Sequence, residues 1–88
     1  MTFRFVVGET YSDFIRVIKR TEKTIVAYRT DVNNSYKDDA VGEHRYKINV
    51  DADGNEYTVI DRFTSARGEK WGKVVSADPS QKWYSMRL

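Results

Sequence analysis

The clearest pattern along the chain is the alternation from His44 to Val50. His44, Tyr46, Ile48 and Val50 fall on one face, and Arg45, Lys47 and Asn49 on the other. A period of two marks a strand with one buried face. A second β-rich run, Glu56-Tyr57-Thr58-Val59-Ile60-Asp61, follows after Asp51-Ala52-Asp53-Gly54-Asn55. Asp-Gly between two such runs is a strong hairpin signal, with Gly54 supplying the positive φ of the turn. The pattern predicts an antiparallel hairpin in which Tyr46, Ile48, Tyr57 and Val59 face the core.

The same reading extends along the chain. Phe3 to Val7 reads as a first strand, ended by Gly8. Phe14–Arg20 and Thr24–Arg29 are two more runs, separated by Thr21-Glu22-Lys23, and predict another hairpin. Asp31 to Gly42 is polar and reads as a loop, long by ordinary loop statistics. Phe63–Gly68 shows no clear period. Glu69–Val75 reads as a strand, Asp78-Pro79-Ser80 as a turn and Trp83–Leu88 as a closing strand. Helix is poorly supported, its best chances being short pieces within Ser12–Lys19 or Thr64–Lys70. Roughly five to seven short strands joined by hairpins predict a mainly β domain with little helix, a small antiparallel barrel or strongly bent sheet. Closure would remove the exposed edges on which such strands aggregate. Hairpin spacing favours an SH3-like barrel, with an OB-like barrel as the alternative.

Composition narrows the function more than the fold. The 88 residues fit one domain, residues 1–88. With 40% hydrophobic and 32% charged residues the chain is that of a soluble globular protein. No apolar run approaches the ~20 residues of a membrane helix, and the start is too quickly interrupted for a signal peptide. The expected location is the cytoplasm, of a cell or of an infected host. The absence of cysteine excludes disulfides, thiolate nucleophiles and cysteine zinc sites. A single histidine, His44, excludes a multi-histidine metal site. It runs in phase with Tyr46 and Ile48, so it reads as a packed or capping residue and not as a general base. Counted from Asp51 as position one of a calcium loop, glycine falls at position four and Arg62 at position twelve, the wrong register for that ion. The five glycines match neither a dinucleotide nor a phosphate loop. No catalytic residue, metal or cofactor is expected, and the chain reads as a binding module and not an enzyme.

Charge points to a partner. Residues 32–61 carry three basic and seven acidic side chains, whereas residues 62–88 carry six and two. The basic third also holds both tryptophans. Single-stranded nucleic acid needs cations along its phosphates and aromatic faces under its bases. Lys70, Trp71, Lys73, Lys82, Trp83 and Arg87, with Arg45 and Lys47 on the outward face of their strand, are therefore the candidate binding residues. Arg16, Lys19, Arg20 and Lys23 gather around the first hairpin. The competing reading is solubility, with aromatics filling a small core and lysines guarding outward faces. The alternative partner is a nucleic-acid-handling protein: Trp, Tyr and Arg dominate interface hot spots, and the acidic stretch Asp31–Asp61 would mimic nucleic-acid charge toward a basic groove. Homodimerisation through an edge strand or the C-terminal segment is a related expectation.

Val7-Gly8-Glu9-Thr10-Tyr11, Arg20-Thr21-Glu22-Lys23-Thr24-Ile25, Tyr46-Lys47-Ile48 and Asp53-Gly54-Asn55-Glu56-Tyr57 together resemble a group of small uncharacterised proteins of bacteriophages and mobile elements. The resemblance spans roughly residues 5–60. It implies a small β-rich fold without catalytic residues. It also admits an anti-defence role, in which a phage-type inhibitor, anti-CRISPR-like, blocks a host nuclease.

Overall fold

Hairpins build the molecule, but the run His44–Val50 is not one arm of a hairpin with Glu56–Asp61: Glu43–Lys47 pairs with Thr24–Tyr28, and only Asn49–Val50 pairs with Glu56-Tyr57. A computed structural model describes residues 1–29 and 43–88; the expected loop from Asp31 to Gly42 lies outside the described residues. The strands are β1 (Thr10–Tyr11), β2 (Ile15–Arg20), β3 (Thr24–Arg29), β4 (Glu43–Lys47), β5 (Asn49–Val50), β6 (Glu56–Thr64), β7 (Lys70–Ser76) and β8 (Trp83–Arg87). They form two four-stranded antiparallel sheets, in the orders β1-β2-β3-β4 and β5-β6-β7-β8. Every neighbour in a sheet is a neighbour in sequence. No helix occurs among the described residues, and so none is long and apolar enough to cross a membrane.

The turns explain the hairpins. Thr21 N–H donates to Thr24 O at 2.8 Å, and Thr24 N–H donates back to Thr21 Oγ1 at 3.1 Å. Asp51 Oδ1 accepts from both Asp53 N–H and Asn55 N–H, an Asx turn that Gly54 completes at φ 87°. Ile48 separates β4 from β5 and is the point where the chain leaves one sheet for the other. Its N–H donates to Lys23 O of the first hairpin, while Thr58 Oγ1 of β6 donates to Lys47 O.

The core lies between the sheets. Ile15, Val17, Ile25 and Ala27 come from the first sheet, Ile60, Val75 and Ala77 from the second and its following turn, and Phe5 and Ile48 from the connecting segments. Tyr46 and Ile48 face this core as the alternation predicts. Tyr57 and Val59 do not. The buried positions at the start of β6 are Glu56, Thr58 and Ile60, so the phase expected for this strand is reversed. Two polar side chains face inward because each has a partner there: Thr58 reaches Lys47 O, and Glu56 meets Arg20. Tyr57 and Val59 instead join Val74, Tyr84 and Met86 on the outer face of the second sheet. Gly72 lets that layer close, since a Cβ there would sit 2.7 Å from Val59 Cγ1.

Residues 3–7 are also not the ladder strand that was expected. They form an extended arm whose backbone is bonded mainly by side chains. Phe3 N–H donates to Asn55 Oδ1 at 2.9 Å, Phe5 N–H donates to Glu56 Oε1 at 2.8 Å, and Arg20 Nη1 donates to Phe5 O at 2.8 Å. Arg20 and Glu56 meet through two parallel bonds, 2.7 and 3.0 Å, with side chains 17% and 6% exposed. A second bidentate pair, Arg29 with Asp61 at 3.1 Å, ties β3 to β6 near the other end of that strand. Burial alone would raise the Glu56 carboxyl; the Arg20 hydrogen bonds, the Phe5 N–H and the charges of Arg20 and Arg4 outweigh it and hold the group below its ordinary value.

Glu56→Ala is expected to lower stability by about 3 kcal/mol, because it leaves Arg20 without its buried partner. The sign of the pH effect follows from the depressed carboxyl. Its contribution is complete above the ordinary carboxylate pKa and is lost as pH falls through the lower folded value. Urea unfolding at neutral and acid pH should therefore show a smaller acid-induced loss in Glu56→Ala than in the parent chain.

Candidate nucleic-acid interface

Strand parity and register decide which candidate residues meet. Trp71 and Lys73 share one face of β7, and Trp83 and Arg87 share one face of β8. Pairing sets Trp71 opposite Arg87, Lys73 opposite Ser85, and Val75 opposite Trp83. All four candidates thus lie on the core-side face of the second sheet. Phe63 of β6, opposite Trp71, extends the row. Lys70 has the other parity and lies on the outer face. Arg45 and Lys47 lie on the outer face of the first sheet, opposite Val26 and Thr24. The structure therefore separates Arg45, Lys47 and Lys70 from the C-terminal group.

The central element is a cation held against two aromatic rings. Lys73 Nζ stands 3.8 Å from the ring centre of Phe14 and 5.0 Å from that of Trp83. Phe14 and Trp83 meet edge to face at 5.8 Å. Such a cation is partly desolvated and its attraction to the rings is worth about 0.5–2 kcal/mol. Trp83 remains 47% exposed. Arg87 Nη1 pairs with Glu69 at 3.1 Å, which reduces its free charge.

Beside this group opens a cleft of about 710 Å³ between the arm with its following turn and the β7–β8 connection. Phe3, Tyr11, Phe14 and Ala77 supply apolar lining, and Arg4, Lys82 and Trp83 stand at it too. The local backbone is strained in one respect. Ser12, Asp13 and Lys82 have φ of 54°, 57° and 53°, the three non-glycine residues with positive φ among those described, and all three line this cleft. Backbone outliers of this kind concentrate at functional sites. Ser12 Oγ is buried there without a hydrogen-bond partner among the described residues. The opposite wall is fixed by Asp78, whose carboxylate accepts from Ser80 N–H at 2.9 Å and Ser80 Oγ at 2.8 Å. These Ser80 bonds hold the Asp78 carboxyl below its usual range.

Neither a family model, nor a curated protein, nor a solved structure matches the chain.

The outer face of the first sheet is a second charged surface. Arg16 lies opposite Tyr28, and Lys19 and Arg45 flank Val26 from either side. Tyr28, 41% exposed, was missed by the sequence reading; its parity with Val26 was the available signal. His44 and Tyr46 stack at 6.1 Å on the inner face of β4. His44 Nε2 and Tyr46 Oη lack hydrogen-bond partners among the described residues. Burial raises the Tyr46 hydroxyl, partly offset by the nearby Arg29 guanidinium.

A double-mutant cycle of Phe14→Leu with Lys73→Met, read by urea unfolding, should give a coupling of about 0.5–1 kcal/mol. Additive losses would show that the cation and ring act separately.

Proposed function

We propose that this chain is a non-enzymatic module that binds single-stranded nucleic acid across the core-side face of β7 and β8 and into the adjoining cleft. One observation carries the reading: half-exposed Trp83 stands beside Lys73 and Lys82 at the mouth of a cleft with strained walls. A base stacked on the indole leaves its phosphates within the field of Lys82, Arg4 and Arg87. Trp71 and Phe63 offer further ring faces along the same row. The two bent sheets serve in this reading as a small barrel of the SH3-like or OB-like kind, and kinship with phage and mobile-element proteins would place the partner in the cytoplasm.

The competing reading is an inhibitor that mimics nucleic-acid charge toward a host protein, and two of the acidic residues it would use are engaged within the chain. Glu56 and Asp61 are both committed to internal arginines.

Fluorescence anisotropy of labelled single-stranded and duplex oligonucleotides at low salt tests the proposal. Binding should favour the single strand. Lys82→Ala should reduce the slope of log affinity against log salt by about 0.7, and Trp83→Ala should cost about 1–3 kcal/mol of binding with little sequence preference. An absence of binding to either oligonucleotide at low salt would overturn it.

A further inference from the structure

β8 ends its sheet, so one side of its backbone has no strand beside it among the described residues. The bonding pattern identifies the groups on that side. Leu88 N–H donates to Lys70 O at 2.9 Å, and Ser76 N–H donates to Lys82 O at 3.1 Å. Antiparallel strands alternate in which residues face the neighbour. Residues 82, 84, 86 and 88 therefore turn their backbone groups toward β7. Trp83, Ser85 and Arg87 turn theirs to the open edge.

That edge is long and lightly guarded. β1 and β5, the outermost strands elsewhere, have two residues each, and β4 carries Glu43, Arg45 and Lys47 within five. β8 also has five residues but only one charge, Arg87, with no proline and no bulge in its pairing with β7. Edges of monomeric sheets are normally blunted by just such devices.

We propose that β8 pairs antiparallel with β8 of a second copy of this chain, about a two-fold axis at Ser85. The strand is chemically self-complementary in this register. Trp83 lies opposite Arg87 of the partner subunit on one face, a cation over an indole. Tyr84 lies opposite Met86 of the partner subunit on the other, a thioether against a ring. The symmetry supplies each contact twice, and the outward groups of Trp83, Ser85 and Arg87 form roughly six backbone hydrogen bonds. On the outer face the half-buried layer of Tyr84 and Met86 continues from one subunit into the next. The pairing joins two sheets into one of eight strands. It places the two Trp83 rings on the same face of that sheet.

Sedimentation equilibrium of the full chain, from micromolar to near-millimolar concentration, tests this. The parent chain should show a concentration-dependent dimer. Ser85→Lys and Ser85→Glu each set like charges directly opposite across the axis and should be monomeric over the same range, with thermal melts confirming that each is folded. An equimolar mixture of the two should dimerise again, because the axis then pairs Lys with Glu. A parent chain that stays monomeric, single variants that dimerise like the parent, or a mixture that stays monomeric would each overturn the proposal. Oligonucleotide binding is not the readout, so this result is independent of the nucleic-acid reading.

Discussion

The carboxylate of Glu56 holds together parts of the chain that no ladder joins. One oxygen accepts from the Phe5 amide and from Arg20 Nη1, and the other from Arg20 Nη2. β2, β6 and the N-terminal arm thus share one buried group. The apolar core is thin and consists mostly of Ile, Val and Ala with a single Phe. In a domain of this size the hydrophobic contribution is small, so a satisfied ion pair fixes geometry that packing alone leaves loose. The same pair seats Phe5 edge to face with Tyr11 at 5.0 Å, and Tyr11 lines the cleft. The shape of the candidate site therefore rests on a carboxylate outside its lining.

The turns were legible because local signals specify them. Thr21-Glu22-Lys23 and Asp53-Gly54 sit between runs of the right period and both turn, but across the second only Asn49–Val50 pairs with β6, while Glu43–Lys47 pairs with β3 in the other sheet. The phase of β6 was not legible. Reading Tyr57 and Val59 inward follows the hydrophobic pattern, but Glu56 and Thr58 face inward because of partners 36 and 11 residues away. No local pattern encodes such partners. Residues 3–7 misled for a related reason: an extended apolar segment looks the same whether a strand or a set of side chains takes up its amides. Closure of the sheets into a barrel is likewise a long-range property. In the structure β1 and β8 stand at sheet ends without pairing to each other.

The candidate site was half legible. Trp71 and Lys73 share a parity, as do Trp83 and Arg87, and only the β7–β8 register was needed to bring the pairs together. Parity also separates Lys70 from Trp71, and that much was readable from adjacency alone. Phe14 gave no signal. It precedes β2 by one residue, and the turn at Ser12 and Asp13 brings it over Lys73. Positive φ at a serine and an aspartate has no sequence signature comparable to that of glycine. The cleft is the product of that turn and of the β7–β8 connection, where Lys82 has positive φ.

The clamp on the arm has a consequence for the order of events during synthesis. Each sheet is a meander of consecutive strands, so its contacts are short-range and assemble early. The arm's contacts are not: Phe5 and Glu56 are 51 residues apart. A ribosome makes the arm well before the carboxylate that will receive it, and during that interval Phe3 and Phe5 have no permanent partner. The segment synthesised earlier is thus docked later, and the cleft takes shape only after both sheets exist. Apolar surface exposed in that interval is what makes incompletely folded chains prone to aggregate.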